Sequence, residues 1–264
     1  MDALSLALSL HRHKPSIEDW ELQPTRSRLC FNAAPLGFTH LTMDPTSTQP
    51  AASLNRNRIC LCGREGGLTE EGLQELLGLF DAKSIDRVFV WLSPGPDVDQ
   101  VRGWLEAKGL SKVAWTRYPV LVLGEQADTV VSCAEIEIRK ASPDDIANAR
   151  EQYGLAMMSG FEESTGAANA HHYLAYDAGR PIASAMLVRF EDIGYLTHAS
   201  TNESDRRRGA QGALIARRIA DARALGCRHI VSETLTMLKS SFANLQRYGF
   251  REVYEREVYE RSRG

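Results

Sequence analysis

The feature that most constrains this chain is the loop Arg206-Arg207-Arg208-Gly209-Ala210-Gln211-Gly212, which follows a predicted strand and opens a predicted helix. The strand pattern covers 194–201, and the helical pattern runs from about Ala210 to Leu225, with Gly226 as its C-cap. The first turn of a helix presents unpaired main-chain N–H groups and the positive end of the helix dipole, so a glycine-bearing loop there suits a diphosphate. Arginine side chains beside it add charge-assisted contacts. The loop therefore predicts an anion site.

The spacing of this loop excludes the common nucleotide-binding loops. The chain has no G-x-x-x-x-G-K-[ST] sequence and no G-x-G-x-x-G after a predicted parallel strand. A formal net charge of −3 argues against a nucleic-acid partner, because binding a polyphosphate backbone usually needs a basic excess. The arginines at 206–208 therefore act locally, as part of an anion site or as an exposed basic turn.

The composition predicts a folded protein without a membrane partner. Hydrophobic residues make up 43% of the chain and charged residues 25%, which is typical of soluble globular domains. No apolar run reaches the roughly 18 residues of a transmembrane helix, and Asp2 stands where a secretory signal would carry basic residues. We therefore expect a cytoplasmic location. The five cysteines are odd in number and lack zinc-site spacing, so neither a metal nor a disulfide framework is expected.

The second half of the chain begins with a strand, a helix and a three-stranded meander. Ile136 and Ile138 alternate in a short strand, and Ser142-Pro143-Asp144-Asp145 supplies an N-cap, an N1 proline and first-turn acids for a helix predicted to end near Met158. Closely connected antiparallel strands follow. The later elements are predicted at 172–176, 182–190 and 194–201 (strands), 229–233 (strand), 238–247 (helix) and 251–259 (strand).

The first half predicts a smaller α/β domain. From about Arg58, strands and helices alternate, and the polar segment 124–132 is the predicted domain boundary. We therefore predict an α+β protein with an N-terminal α/β domain at 1–130 and a second domain at 134–264. The alternating elements of the first half are predicted at 59–61 (strand), 69–80 (helix), 87–92 (strand), 97–108 (helix) and 113–123 (strand region).

The second half resembles the GNAT family, the N-acetyltransferases related to histone and aminoglycoside acetyltransferases. The pyrophosphate loop of the family reads [QR]-x-x-G-x-[GA]; Arg206 and Gly209 fit it, whereas Gln211 occupies the last position and Gly212 follows one residue late. The order of elements and the Gly249-Phe250 pair before the last strand are also similar. The resemblance implies the GNAT acyl-CoA N-acyltransferase fold, a mixed, mostly antiparallel sheet flanked by helices. For residues 1–130 it admits a degenerate copy of that fold.

The resemblance implies acetyl-CoA as cosubstrate and assigns residues to it. In the family, the strands matching 195–201 and 229–233 splay apart, and the pantetheine arm lies between them along the earlier strand. A polar residue on the helix before the last strand often contacts the coenzyme. The matching cofactor-binding positions are Ala199, Ser200 and Thr201 on the strand, Arg206, Arg207, Arg208, Gly209, Ala210, Gln211, Gly212 and Ala213 in the loop and its helix, and Asn244 on the later helix.

The resemblance implies fewer catalytic residues than coenzyme-binding residues. In the family the acceptor amine attacks the thioester directly, so no acyl-enzyme and no catalytic cysteine is implied. Many members protonate the leaving thiolate with a tyrosine where this chain has Leu245. Tyr248, three residues later, is either a substitute or a packed aromatic residue, and water or the backbone could serve instead. Glu233, at the end of an apolar strand, is the first candidate base. His198 and Tyr195 are the others, and strict strand alternation puts them on opposite faces, so that only one faces the substrate.

We therefore expect an N-acetyltransferase that moves an acetyl group from acetyl-CoA to a primary amine of a small-molecule acceptor in a ternary complex. Glu162 and Glu163 lie in the loop that often covers the acceptor in this family and would attract a cationic amine. The alternatives are a non-catalytic acyl-CoA sensor, which the missing tyrosine favours, and a nucleic-acid module that uses 206–208. The sequence leaves open the acceptor, the acyl chain length, the role of 1–130 and whether the protein forms a homodimer.

Overall fold

The structure is a computed structural model that describes residues 69–95, 97–124, 136–158 and 160–262 and parts of the first 62 residues. Most of the predicted domain boundary at 124–132 lies outside the described residues. In the first 62 residues the described positions are 2–3, 5–7, 9–10, 12–13, 29–33, 39–43, 54 and 56–62.

The described elements alternate much as the sequence predicts. Within the described residues, no helix has the length and apolar content that crossing a membrane requires. The helices are α1 (Glu70–Asp81), α2 (Val98–Ala107), α3 (Pro143–Tyr153), α4 (Ala210–Ala224) and α5 (Lys239–Arg247). The strands are β1 (Leu29–Ala33), β2 (Thr39–Met43), β3 (Arg58–Cys62), β4 (Arg87–Ser93), β5 (Ser111–Lys112), β6 (Tyr118–Leu123), β7 (Glu137–Lys140), β8 (Ala170–Asp177), β9 (Arg180–Phe190), β10 (Ile193–Thr201), β11 (His229–Glu233) and β12 (Phe250–Ser262).

The chain forms two compact units that do not correspond to a single cut in the sequence. One unit comprises Met1–Pro119, Leu235–Met237 and Tyr254–Gly264, and the other comprises Val120–Thr234 and Leu238–Val253. The last strand, β12, therefore contributes residues to both units.

The first unit is an α/β layer. β3 and β4 are parallel, whereas β1–β2, β2–β3, β4–β12 and β5–β12 are antiparallel pairs. α1 begins where the Thr69 side chain accepts a hydrogen bond from the Gly72 amide at 3.0 Å. Its apolar residues then recur at helical spacing and are buried with those of α2 and β4 in one core. The buried residues of α1 include Leu73, Leu76, Leu77 and Phe80.

The second unit holds a mixed sheet with the strand order β6-β11-β10-β9-β8-β7. β10 and β11 are parallel, and the other neighbours are antiparallel. α4 packs against the sheet through Leu214 and Ile219, which share a core with Ala185 and Leu187 of β9. α3 has a separate core with β8, in which Ala149 packs with Leu155 and Leu174. The predicted sheet, mixed and mostly antiparallel with flanking helices, is confirmed.

The predicted end of α3 near Met158 is wrong. The helix starts as expected, with a capping box between Ser142 and Asp145, but it ends at Tyr153. Gly154 then adopts a left-handed φ of 59°, which stops the helix in the manner of a glycine C-cap. The apolar spacing of Ile146, Ala149 and Tyr153 continues beyond the helix through Met157, which packs against the Ala149 core without being helical.

Candidate active site

β10 and β11 part at the level of Leu196. The parallel register runs from Ile193 and His229 to Leu196 and Ser232 and ends there, although β10 continues to Thr201. The Ser232 hydroxyl donates a hydrogen bond of 2.9 Å to the Leu196 carbonyl at this point. From residue 197 onward β10 is paired with β9 on one side only in the described register, so its other edge presents main-chain groups beside the end of β11.

A β-bulge interrupts β10 immediately after this point. Thr197 pairs with Met186 and Ser200 with Ser184, so His198 and Ala199 together oppose the single residue Ala185. His198 has a φ of 50°, which a non-glycine residue adopts only when its surroundings hold it there. The bulge breaks the strict alternation from which Tyr195 and His198 were predicted to lie on opposite faces.

The loop after β10 turns sharply into α4. A short 3-10 helix (Glu203–Asp205) leads to Arg206, and both Arg207 (φ 66°) and Gly209 (φ 89°) are left-handed. Gly209 is the N-cap of α4, so the amides that follow it point out of the helix start. Successive amides in such a turn form an anion-binding concavity.

The three arginines of the loop differ in their partners. All three side chains are exposed, and Arg206 forms an ion pair with Glu203 at 3.8 Å. Arg208 instead forms ion pairs with Asp177 at 2.5 Å and with Asp205 at 3.3 Å. Arg206 and Arg207 are therefore available for a ligand, whereas Arg208 holds the loop to the β8–β9 turn.

Asp205 is a residue of this site that the sequence analysis missed. Its carboxylate is buried, with 2% of the side chain exposed, and it accepts hydrogen bonds from both Nη atoms of Arg180 and from Arg208. The hydrogen bonds from Arg180, followed by the attraction of its charge, hold the pKa of Asp205 below its usual value. The signal in the sequence is an acid placed immediately before three bases.

Two contacts connect the start of α4 to neighbouring elements. The Gln211 side chain donates a hydrogen bond of 2.8 Å to the hydroxyl of Thr201, at the end of β10. A Cβ on Gly212 would lie only 2.7 Å from the hydroxyl oxygen of Tyr248, so the missing side chain lets this tyrosine pack on the first turn. Ala213, the next residue, is half-buried.

The remaining predicted coenzyme residues differ in exposure. Ala199 lies in the bulge of β10 and is exposed, and the next residue, Ser200, is half-buried. Ala210, the first residue of α4, is buried in the core. On α5, Asn244 is half-buried, while Leu245, at the position of the family tyrosine, is 4% exposed and packs in the core of the second unit.

The candidate bases differ in accessibility. Glu233 ends β11 beyond the last parallel pair and is half-buried, with its main chain registered against Val120. Tyr195 is 4% exposed and packs against Phe190, with ring centroids 6.0 Å apart. His198 is 2% exposed, and its Nδ1 lies 3.0 Å from the Thr197 hydroxyl. Of the three side chains, Glu233 is the most accessible.

The polar side chains of the loop at 160–166 have partners within the protein, in the loop itself, in α3 and in β8. Glu162 pairs with Arg150, and the Glu163 carboxylate accepts a hydrogen bond of 2.9 Å from the Gly160 amide. The buried Ser164 hydroxyl lies 2.8 Å from Nε2 of His172. Burial is the main reason that the pKa of His172 falls to about 4, and His198 nearby lowers it further. At neutral pH His172 is therefore an uncharged anchor for this loop.

The chain is similar to solved structures of N-acetyltransferases. It matches a GCN5-related N-acetyltransferase from Kribbella flavida over 95% of this chain and 96% of the other, with 16% identity and a TM-score of 0.58. A GCN5-related N-acetyltransferase from Sphaerobacter thermophilus matches over 85% of this chain and 80% of the other, with 14% identity and a TM-score of 0.60. A tandem GNAT protein from the clavulanic acid biosynthesis pathway matches over 86% and 78%, with 10% identity and a TM-score of 0.61. No protein-family model and no curated protein matches the sequence.

Identities this low carry the fold and not the activity. The likeness agrees with the parallel pair β10–β11 inside an otherwise antiparallel sheet and with a loop at the start of α4. The protein has the fold of the GCN5-related N-acetyltransferases, as its sequence resemblance predicts.

Proposed function

We propose that the protein is an acyl-CoA-dependent N-acyltransferase that transfers an acetyl group from acetyl-CoA to a primary amine of a small molecule. The observation that carries this proposal is that the open edge of β10 leads directly into the loop at the start of α4. An extended pantetheine arm needs main-chain partners, and a diphosphate needs inward-pointing amides with nearby positive charge. One continuous segment, 197–212, offers both.

The residues of this segment fit the chemistry of acyl-CoA. The amides after Gly209 and the exposed side chains of Arg206 and Arg207 would hold the diphosphate. The edge of β10 from 198 to 201 would hold the pantetheine arm by main-chain hydrogen bonds. The coenzyme supplies an activated acyl thioester, and the protein positions it beside the end of β11.

Glu233 is the proposed base. Its carboxylate ends the strand that parts from β10 and is partly accessible, whereas His198 and Tyr195 are almost fully buried. A carboxylate there would accept the proton of the acceptor ammonium and free the amine to attack the thioester carbonyl, after which the C–S bond breaks and CoA leaves as its thiolate. Main-chain N–H groups at the bulge are the candidate donors to the oxygen on which negative charge develops. The buried side chains of His198 and Tyr195 would contribute to the shape of the cleft rather than act as bases.

Coenzyme binding tests the first half of this proposal. Calorimetric titration with CoA should give a saturable isotherm for the wild-type protein. The double variant Arg206→Ala/Arg207→Ala should bind roughly tenfold or more weakly, because two charge-assisted contacts to the diphosphate are lost. Arg228→Ala is the matched control. Arg228 is an exposed arginine of the same unit, pairs with Asp192 and follows the end of α4 opposite the loop. Unchanged affinity in the double variant would contradict the loop assignment.

Turnover tests the second half and separates the enzyme from an acyl-CoA sensor, which the leucine at position 245 favours. Release of the CoA thiol from acetyl-CoA should depend on an added amine, and Glu233→Gln should reduce the rate most strongly at low pH, where less free amine exists. A protein that binds CoA tightly but transfers to no amine in a broad panel would be a sensor.

A further inference from the structure

A buried arginine lies in the middle of α4. Arg218 is 2% exposed and shares its helix face with Leu214 and Ile215, which belong to the core against β9 and β10. Burial lowers the pKa of Arg218 to about 10, so the guanidinium still carries its charge at neutral pH. Arginine is rarely buried to this degree without a carboxylate, because a desolvated charge is costly.

The hydrogen-bond partners of Arg218 are main-chain carbonyls. Its Nη1 donates to the Met186 carbonyl at 3.1 Å and to the Thr197 carbonyl at 3.2 Å, and its Nε donates to the Leu214 carbonyl at 3.0 Å. No carboxylate pairs with Arg218 in the part of the chain that the structure describes. The side chain thus donates hydrogen bonds to main-chain carbonyls of two adjacent strands and of its own helix.

These carbonyls mark the place where the sheet is irregular. Thr197 and Met186 form the last regular pair before the register of β9 and β10 shifts. A bulge disrupts the ladder of hydrogen bonds at that position, and buried carbonyls left by it need another donor. Arg218 supplies that donor to both strands at once, directly before the left-handed residue His198.

We propose that Arg218 is a positioning residue that holds the bulge of β10 in the conformation needed by the pantetheine arm of the coenzyme. This inference rests on the proposed function. α4 carries the diphosphate loop at its first residue and Arg218 two turns later, so one rigid helix sets both the loop and the strand edge. Loss of the guanidinium should therefore disturb the arm of the coenzyme and spare its nucleotide end.

Two ligands separate these effects. One is CoA, and the other is 3′-phosphoadenosine 5′-diphosphate, which is CoA without the pantetheine arm. The Arg218→Met variant should bind the fragment within about twofold of wild type but should bind CoA about tenfold more weakly. The affinity of Arg218→Lys for CoA should lie between those of the wild type and Arg218→Met. Arg217→Met is the matched control, because Arg217 is the next residue on α4 and pairs with Asp221 rather than with the bulge.

Amide hydrogen exchange without ligand gives a second readout. Arg218→Lys, which keeps the charge, should speed exchange at 198–200 without a comparable change in α4, and Arg217→Met should not. Equal loss of affinity for both ligands, or unchanged exchange at the bulge in both Arg218 variants, would overturn the inference. If the wild-type protein binds neither ligand, the proposed function fails instead, and the exchange result alone still shows whether Arg218 holds the bulge.

Discussion

Gln211 Nε2 donates a hydrogen bond of 2.8 Å to Oγ1 of Thr201, which joins the first turn of α4 to the last residue of β10. The bond accounts for the departure of this loop from the family pattern, in which a glycine or alanine stands at this position. The side chain reaches back to the strand, so the main-chain amide of residue 211 stays available at the start of the helix.

Replacing Gln211 should therefore cost stability rather than coenzyme affinity. We expect Gln211→Ala to lower the free energy of unfolding by about 1 kcal/mol, the usual net contribution of one hydrogen bond, and to leave the Kd for CoA within about threefold. Chemical denaturation and calorimetry measure the two quantities. Gln246→Ala, at an exposed position on α5, is the control. A tenfold weaker Kd would mean that the side chain itself binds the coenzyme.

The contact between Gly212 and Tyr248 predicts a steric defect that a second mutation repairs. Gly212→Ala should destabilise the protein by about 1–3 kcal/mol, because the new Cβ would lie 2.7 Å from the tyrosine hydroxyl. In Gly212→Ala/Tyr248→Phe the nearest ring atoms are 3.5 Å away, and most of the loss should disappear. Gly103→Ala, in α2 with no atom within 4 Å of the new Cβ, should be neutral or stabilising. Thermal unfolding of the wild type, the Gly103→Ala control, Gly212→Ala, Tyr248→Phe and the double variant provides the test. Purely additive effects of Gly212→Ala and Tyr248→Phe would exclude the contact.

Asp205 should set the acid stability of the loop. Because the folded-state pKa is lowered by Arg180, the stabilisation is complete above the ordinary pKa of 3.8 and is lost as the pH falls below it. We expect Asp205→Asn to lower the thermal midpoint at neutral pH by roughly 5 °C and to differ less from wild type at strongly acid pH. A difference that stays constant with pH would show that the carboxylate charge does not stabilise the loop.

His172 should impose a separate pH dependence at higher pH. Its folded-state pKa of about 4 is below the ordinary value of 6.5, so the unfolded chain takes up the proton first. Stability from neutral His172 is therefore complete above 6.5 and is lost between 6.5 and 4, with a limit of about 3 kcal/mol. His172→Gln should flatten this part of the unfolding profile. Identical slopes in wild type and His172→Gln would exclude the effect.

The sequence predicts the elements of this protein better than their interruptions. The strand at 229–233 and the start of α4 follow from apolar runs, a loop and a glycine, which are local signals. No glycine marks the bulge at His198 in the sequence. The side chain that bonds the carbonyl beside it, Arg218, comes from another element. The end of α3 was misplaced because Met157 continues the apolar spacing of the helix after Gly154 has stopped it.

The same holds for the candidate site: its contiguous loop is predictable from the sequence, and its contacts between distant residues are not. Arg206 and Gly209 carry a motif in consecutive residues, so the loop could be proposed before the structure was known. The pairing of Asp205 with Arg180 joins residues 25 positions apart, and the packing of Tyr248 on Gly212 joins two helices. Such contacts depend on which elements become neighbours and leave no periodic trace in the chain.

The central claim, that 197–212 holds acyl-CoA, is tested most directly by the thermal midpoint with and without millimolar acetyl-CoA. A ligand that binds only the folded protein raises its stability by RT ln(1 + [L]/Kd). The account predicts an upward shift that CoA and desulfo-CoA reproduce, that adenosine does not, and that is clearly smaller in Arg206→Ala/Arg207→Ala. An unchanged midpoint at every acetyl-CoA concentration would contradict it and would mean that this fold serves another purpose here.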